Sequence, residues 1–168
     1  MKTCIGLFGT CGTSTFRQEL FIPKYLSIGL KDGTDFFNPQ VKDWNPNCAV
    51  VEAQHLAEDS IILFPITSET YGLGSLSEVG FSVLHAIRLN GNRDIIVMID
   101  QHLDSELMRS EILTKESIRA RKLVLEHLKT LDLSSLFIVN SLQNMLDLSV
   151  KLYECQLIKT KAKIELVI

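Results

Sequence analysis

The side chain with the clearest chemical potential is the carboxylate of Glu78, which follows a polar, glycine-containing segment at residues 67–77. The apolar run before that segment, residues 61–66, predicts a buried strand. Apolar residues at helical spacing between positions 76 and 87 predict a helix that begins near Ser75. Glu78 is therefore expected in the first turn of that helix, where the helix dipole favours an ionised carboxylate. Such a carboxylate beside a pocket can attack a sugar carbon and form a covalent glycosyl-enzyme, although position alone favours a glutamate that only stabilises the helix start.

A second carboxylate that could take part in such chemistry is Glu52, in a stretch whose apolar spacing predicts a helix over residues 49–59. The inner side of that helix is expected to carry Val50, Ala53, Leu56 and Ala57. Glu52 could bind sugar hydroxyls or protonate a leaving base, and a solvent-facing helix glutamate is an equally good interpretation. On the preceding loop, Asp43 could hydrogen-bond a base and Trp44 could stack on it, while a lone loop tryptophan is also common as a lid over the core.

Small residues form another segment with chemical potential, a turn after a short apolar strand at residues 4–9. The turn consists of Gly9, Thr10, Cys11, Gly12, Thr13 and Ser14. Such residues allow main-chain amides to approach an anion, and a following helix N-terminus adds positive potential. Arg17, in the first turn of that helix, could pair with a phosphate or a substrate hydroxyl. The segment matches neither the phosphate-loop lysine motif nor a full dinucleotide fingerprint, so an ordinary strand-to-helix turn with a solvated Arg17 is the alternative.

Five strands alternating with helices must position these residues. The predicted strands cover residues 4–9, 35–38, 61–66, 95–100 and 136–139. The predicted helices begin at Ser14 or Thr15, at residue 49, near Ser75, at residue 103 and at Asn140 or Ser141. This alternation predicts an α/β fold, doubly wound (Rossmann- or flavodoxin-like), with a five-stranded parallel sheet in the order 2-1-3-4-5 and helices on both faces. The loops at 9–14 and 67–77 then meet at the switch point between the first and third strands, where ligands bind in such sheets.

Three features of these elements are less regular. Pro23 is expected to bend the first helix or end it early. The charged stretch 103–131 predicts one broken helix or two, with the basic cluster 119–122 on a solvated face. The tail at residues 161–168 could add a strand or contact another subunit.

Composition limits the class of protein. The 168 residues suit one domain, expected over residues 1–168, and 46% hydrophobic with 22% charged residues is ordinary for a soluble protein. A net charge of −3 gives no basic field for a nucleic acid or a membrane surface, and the apolar runs are too short to span a bilayer. The N-terminus indicates a first strand and not a signal peptide, so a cytoplasmic location is expected.

Cysteine and histidine spacing bears on metals and redox chemistry. The four cysteines are scattered without a CxxC pair, which indicates free thiols in a reducing compartment. The histidines without a Cys or His partner at ligand spacing are His55, His85, His102 and His127. No metal site is therefore expected.

Four segments together resemble the nucleoside 2-deoxyribosyltransferase family, with the closest likeness to its bacterial deoxyribosyltransferase-like branch. They are residues 9–17 (GTCGTSTFR), 37–39 (FNP) with Asp43 and Trp44, 59–67 (DSIILFPIT) and 74–80 (GSLSEVG). The resemblance covers roughly the first half of the chain. It implies a doubly wound fold, cleavage of the bond between a nucleobase and a deoxyribose or ribose, and oligomers in which a neighbour completes the pocket.

The resemblance also implies roles for individual residues. Glu78 occupies the nucleophile's position at a helix start of small residues, Gly74 and Ser75. Glu52 is the nearest candidate for the acid that holds the sugar hydroxyls. The turn at 9–14 corresponds to the family's contact with the sugar or a 5′-phosphate. Asn38, Asp43 and Trp44 belong to the matching loop and are further substrate-binding candidates.

The sequence departs from the family pattern in two places. The transferases place an aspartate that contacts the base shortly before the nucleophile, whereas this chain has Glu69 and Tyr71 there, so one of them takes the role or it is absent. The C-terminal carboxylate that some transferases lend to a neighbouring subunit has no aligned counterpart in the tail.

These observations predict retaining cleavage of N-glycosidic bonds in (deoxy)nucleosides or nucleotides, most like a nucleoside 2-deoxyribosyltransferase. No cofactor or metal is expected, because a protonated base is a fair leaving group. One alternative is a hydrolase of nucleoside 5′-monophosphates, in which the first turn and Arg17 hold the phosphate. The other is a nucleotide-binding or sensing domain without catalysis.

Overall fold

The computed structural model describes residues 2–43, 45–89 and 92–165, with side chains described up to residue 162. Its five strands are β1 (Lys2–Leu7), β2 (Phe36–Phe37), β3 (Asp59–Ile66), β4 (Asp94–Ile99) and β5 (Leu136–Ile138). All neighbouring strands are parallel and follow the order β2-β1-β3-β4-β5. The predicted doubly wound sheet and its strand order are thereby confirmed.

Five α-helices flank this sheet. They are α1 (Ile22–Ser27), α2 (Pro46–Glu58), α3 (Leu73–Arg88), α4 (Glu111–Lys129) and α5 (Leu142–Glu165). A single 3₁₀ turn precedes α4, so the charged stretch forms one long helix. The last helix continues to residue 165, so the expected extra strand is wrong for residues 161–165, and residues 166–168 lie outside the described range. None of the described helices is long and apolar enough to cross a membrane.

Strand β3 is buried along its whole length because both faces of the sheet are covered. Ile61 and Leu63 face the core beneath α1 and α5, whereas Ile62 and Phe64 face the core beneath α3 and α4. This two-residue alternation explains why the strand is a continuous apolar run in the sequence. A rigid, doubly covered strand thus delivers the loop that leads to Glu78.

The first helix begins differently from the expectation of a Ser14 or Thr15 cap. No side chain caps it, and the chain enters a π-helical turn at Arg17 in which the Ile22 amide donates to the Arg17 carbonyl. Pro23 then occupies the second position of α1 and, because it has no amide hydrogen, donates no bond to the carbonyls of the π-turn before it. The proline therefore lies at the junction between the π-turn and α1.

The inner face of α2 also differs from the expectation. Val50, predicted to point inward, is 68% exposed, and no residue of α2 is fully buried. The half-buried positions, which define the true inner face, are Cys48, Glu52, His55 and Leu56. Of the residues predicted to point inward, Leu56 does so and packs against the core, whereas Val50, Ala53 and Ala57 are exposed. Apolar periodicity was wrong for these three because most of the inward positions of this helix carry polar or reactive side chains.

Candidate active site

A cleft of about 430 Å³ opens at the carboxyl ends of β1 and β3. Its walls come from the loop after β1, the loop after β3 with the start of α3, and the inner face of α2. The predicted site residues that line it are Gly9, Cys11, Gly12, Glu52, Tyr71, Gly74, Ser75 and Glu78. The switch point of the sheet therefore brings both candidate carboxylates to one cavity.

Glu78 lies deeper in its helix than the sequence suggested. Helix α3 begins at Leu73, after Gly72 in a left-handed conformation (φ 67°), so Glu78 is its sixth residue and lies beyond the first turn. Burial raises the pKa of Glu78, and the negative charge of Glu52 raises it further. The expectation that the helix dipole favours the ionised form is wrong, because the dipole acts mainly within the first turn and burial opposes it.

Glu52 reaches the same cleft from the opposite wall. It is half-buried on α2, lines the cleft, and also lines an adjoining depression of about 280 Å³. Because its charge raises the pKa of Glu78, the two carboxylates influence each other's ionisation. A nucleophile at Glu78 and a proton donor at Glu52 require the form of the pair that holds a single proton, on Glu52, and the negative charge on Glu78.

The first turn packs tightly against the end of β3. Gly9 has φ 89°, and a Cβ added there would lie 2.4 Å from the Pro65 carbonyl oxygen, so the close approach requires glycine. The Thr10 amide donates to that same carbonyl (2.9 Å), and the Thr10 hydroxyl accepts from the Thr67 amide (2.9 Å). Thr10 is buried and joins the two loops, which leaves Cys11 and Gly12 facing the cleft.

Two further residues of that turn point elsewhere. Thr13 is exposed and does not line the cleft. Ser14 is buried, and its hydroxyl has no hydrogen-bond partner among the described residues.

Arg17 has a structural position instead of the expected position facing a phosphate. Its side chain is fully buried, with Nε donating to the Leu7 carbonyl (2.9 Å) and Nη2 to the Phe8 carbonyl (2.8 Å). Nη1 donates to the carbonyl of Thr10, and the guanidinium lies 4.4 Å above the Phe16 ring. The arginine therefore holds the end of β1 and the start of the turn from inside the protein.

Arg121, which the sequence placed on a solvated face, holds the second loop in the same way. It is fully buried and donates to the carbonyls of Thr67 (2.9 Å), Thr70 (2.6 Å) and Asp100 (2.8 Å). Ser117 and Leu128 are the other buried residues of α4, so Arg121 lies on the core-facing side of the helix. Helical spacing from Leu128 was the available signal, since positions 121 and 128 are two turns apart.

The remaining predicted residues are distributed around the cleft and beyond it. The Tyr71 hydroxyl donates to the Leu107 carbonyl (2.8 Å), which orients its ring in the cleft wall. The Asn38 side chain accepts from the Gln40 amide and lines the adjoining depression. Asp43 is exposed on its loop, and Trp44 lies outside the described residues.

Glu69 does not share the cleft with Glu78. Its carboxylate accepts from the Thr67 hydroxyl (2.8 Å) and lines a different cavity, of about 530 Å³. That cavity also touches Phe16 and Met98, which belong to the core beneath α1 and α5. Of the two residues considered for the base-contacting role, only Tyr71 therefore borders the cleft.

Fold and cleft together define a doubly wound α/β protein with a pair of carboxylates at its switch point. A scan against models of protein families and searches of curated proteins and of solved structures found no match to the chain.

Proposed function

We propose that the protein cleaves the N-glycosidic bond of (deoxy)nucleosides or nucleotides through a covalent glycosyl-enzyme, in the manner of a nucleoside 2-deoxyribosyltransferase. The observation that carries the proposal is the placement of Glu78 and Glu52 in one cleft at the switch point of the sheet. The resemblance of four sequence segments to that family supports the same chemistry.

The proposed reaction is a double displacement. The Glu78 carboxylate attacks the anomeric carbon, the bond to the base nitrogen breaks, and its electron pair leaves with the base. Glu52 is the candidate donor of the proton that neutralises the departing base. A second base or a water then gives a proton to Glu52 and attacks the anomeric carbon on the face opposite Glu78, which releases the Glu78 carboxylate, so that configuration is retained after two inversions.

The charge of the cleft favours nucleosides over 5′-monophosphates as substrates. Two carboxylates line it, whereas no lysine or arginine does among the described residues. A phosphate dianion beside two carboxylates would be repelled, and Arg17 is engaged with main-chain carbonyls inside the protein. The monophosphate hydrolase is therefore the less favoured alternative.

Base release measured by chromatography tests the proposal. Wild-type protein is incubated with deoxynucleosides, ribonucleosides and their 5′-monophosphates, with and without an acceptor base. We expect release from deoxynucleosides that falls about 10⁴-fold or more in Glu78→Gln. Glu58→Gln, which changes an exposed glutamate on α2, serves as the control.

The outcomes separate the alternatives. Undiminished release in Glu78→Gln would contradict the mechanism. Base release that requires a 5′-phosphate and does not depend on the acceptor base would support the hydrolase instead. Nucleotide binding without base release from any substrate would select the non-catalytic sensing domain.

We also propose that the protein is a homo-oligomer whose contact covers an apolar surface on α2 and α3. Phe81 is 78% exposed, and with Leu84 it lines a groove shared with Ala53 and Ala57. Val50 extends this surface because it lies one turn before Ala53. The opposite face of α2 carries Glu52, so a second copy bound there would also hold a wall of the cleft, consistent with the resemblance to a family of oligomers.

A further inference from the structure

Three side chains with metal-binding atoms meet at the amino-terminal end of β3, away from the cleft. They are Cys4 on β1, His55 on α2 and Asp59 at the first position of β3. The Cys4 sulfur, the His55 Nδ1 and an Asp59 carboxylate oxygen all lie within 4.8 Å of one another. Local spacing predicted no partner for His55, but the parallel pairing of β1 with β3 supplies Cys4 from a distant part of the chain.

We propose that this cluster, the Cys4–His55–Asp59 site, binds a zinc ion. Thiolate, imidazole and carboxylate are the three side-chain ligands that zinc takes in proteins, whereas calcium and magnesium prefer oxygen ligands alone. Bond lengths of about 2.0–2.3 Å place the ligand atoms of a tetrahedral zinc about 3.3–3.8 Å apart. His55 Nδ1 is already 3.0 Å from both Asp59 oxygens, so small movements of side chains complete the geometry.

The surroundings hold the three ligands in orientation. The His55 ring stacks on Phe37 with 3.7 Å between centroids and 2° between planes, which fixes the plane of the imidazole. The absence of a side chain at Gly6 makes room first for the Phe8 ring, 2.5 Å from an added Cβ, and also for Asp59, whose Oδ2 would lie 3.1 Å from it. The pairing of β1 with β3 shifts register between Lys2 and Ile5, and Cys4 lies within this irregular stretch.

Access and charge are also compatible with a bound ion. Cys4 and Asp59 are fully buried, while the His55 side chain is 19% exposed and leaves a path for the ion and a fourth ligand such as water. Binding releases the Cys4 thiol proton to solvent as the sulfur–zinc bond forms. The proton that His55 Nδ1 donates to the Asp59 carboxylate in the unbound site is also given up to solvent, and the neutral ring then carries its one proton on Nε2. The thiolate and the Asp59 carboxylate then neutralise the two positive charges of the ion.

A zinc ion there would fasten α2 to the sheet. No residue of α2 is fully buried, so packing alone holds this helix weakly. His55 lies one turn after Glu52, and a metal bond at His55 would therefore fix the part of α2 that forms a wall of the cleft. The site does not depend on the proposed reaction, and its test uses no substrate.

Titration of the chelator-treated full-length protein with Co²⁺ tests the site. We expect one equivalent to give visible bands of tetrahedral cobalt and a near-ultraviolet thiolate-to-cobalt band, both removed by Zn²⁺. Cys4→Ser should lose the thiolate band, whereas Cys155→Ser, which changes an exposed cysteine on α5, should keep it.

Zinc affinity gives a second readout. His55→Gln changes a partly exposed side chain without opening the core, and we expect it to weaken Zn²⁺ binding by about tenfold or more. Zn²⁺ should raise the unfolding temperature of the wild type and much less that of this variant. Absence of a thiolate band in the wild type, its survival in Cys4→Ser or its loss in Cys155→Ser would overturn the proposal. An unchanged Zn²⁺ affinity in His55→Gln would overturn it too, and this affinity decides alone if Cys4→Ser does not fold.

Discussion

Two carboxylates in a small cleft cannot both ionise as readily as each would alone. Burial and the charge of Glu52 both raise the pKa of Glu78, so the proposed nucleophile holds its proton to a higher pH than an ordinary glutamate. A nucleophile must be ionised to attack. The acid limb of the pH–rate profile should therefore lie above the usual glutamate range.

Replacing Glu52 tests this coupling. Glu52→Gln removes a negative charge beside Glu78 and should lower the pKa of Glu78, which moves the acid limb of kcat/KM to lower pH. If Glu52 also donates the proton, the maximum rate should fall by about 10²-fold. The measurement is the pH profile of base release for wild type, Glu52→Gln and the control Glu58→Gln, and an acid limb that stays in place in Glu52→Gln would show that the two carboxylates are not coupled.

At the residue scale, the sequence predicted where reactive side chains meet more readily than which way they point. Glu78 and Glu52 share a cleft because any parallel sheet with this strand order opens at the carboxyl ends of β1 and β3. Arg17 and Arg121 could not be placed in the same way. An arginine can be buried when carbonyl oxygens are arranged around it, and that arrangement exists only once distant loops have folded together.

At the element scale, the loops after β1 and β3 lack regular secondary structure. Their main-chain carbonyls accept hydrogen bonds from the buried side chains of Arg17 and Arg121 instead. Arg121 donates to carbonyls in the loop after β3 and at the end of β4. Arg121→Met should leave several buried carbonyls without donors and lower the free energy of unfolding by about 3 kcal/mol or more.

Denaturant unfolding of Arg121→Met beside Arg119→Met measures that contribution. The Arg119 side chain is 69% exposed on the same helix and makes a surface ion pair with Glu116, so its replacement should change stability by less than about 0.5 kcal/mol. Equal effects of the two substitutions would mean that the carbonyls of the loop find other donors.

Two glycines of the same region should respond oppositely to alanine. Gly72 has φ 67°, and an added Cβ would lie 2.8 Å from the Ile66 side chain, so Gly72→Ala should destabilise by about 1–3 kcal/mol. Gly80 lies inside α3 with nothing within 4 Å of an added Cβ, and Gly80→Ala should stabilise by about 0.5–1 kcal/mol. Thermal unfolding of both variants compares the signs, and a stabilising Gly72→Ala would contradict the structure of this turn.

Helix α2 shows where prediction from periodicity fails. Its apolar residues Val50, Ala53 and Ala57 lie on one face, but that face points to solvent. The inner face carries Glu52 and His55, which a rule based on hydrophobicity assigns to the outside. The proposed catalytic role of the inner face and the proposed contact on the outer face would together account for this inversion of the usual pattern.

At the scale of the whole molecule, this inversion leaves an apolar surface that the chain itself does not cover. Phe81 and Leu84 of α3 adjoin the exposed face of α2 across a shared groove. Exposed apolar surfaces of this kind commonly mark contacts between proteins, and a stable contact buries about 800 Å² on each partner. We therefore expect the wild type to have at least twice the monomer mass by light scattering.

Phe81→Glu should convert that oligomer to a monomer, because a dimer with twofold symmetry would desolvate the new charge in both copies. Ile112→Glu is the matched control, since Ile112 is 77% exposed on α4, outside the groove, and its replacement should leave the mass unchanged. If the oligomer also holds α2 against the cleft, Phe81→Glu should lower base release together with the mass, although Phe81 does not line the cleft. A wild type that is monomeric at all concentrations, or a Phe81→Glu oligomer of unchanged mass, would show that this surface does not join two copies.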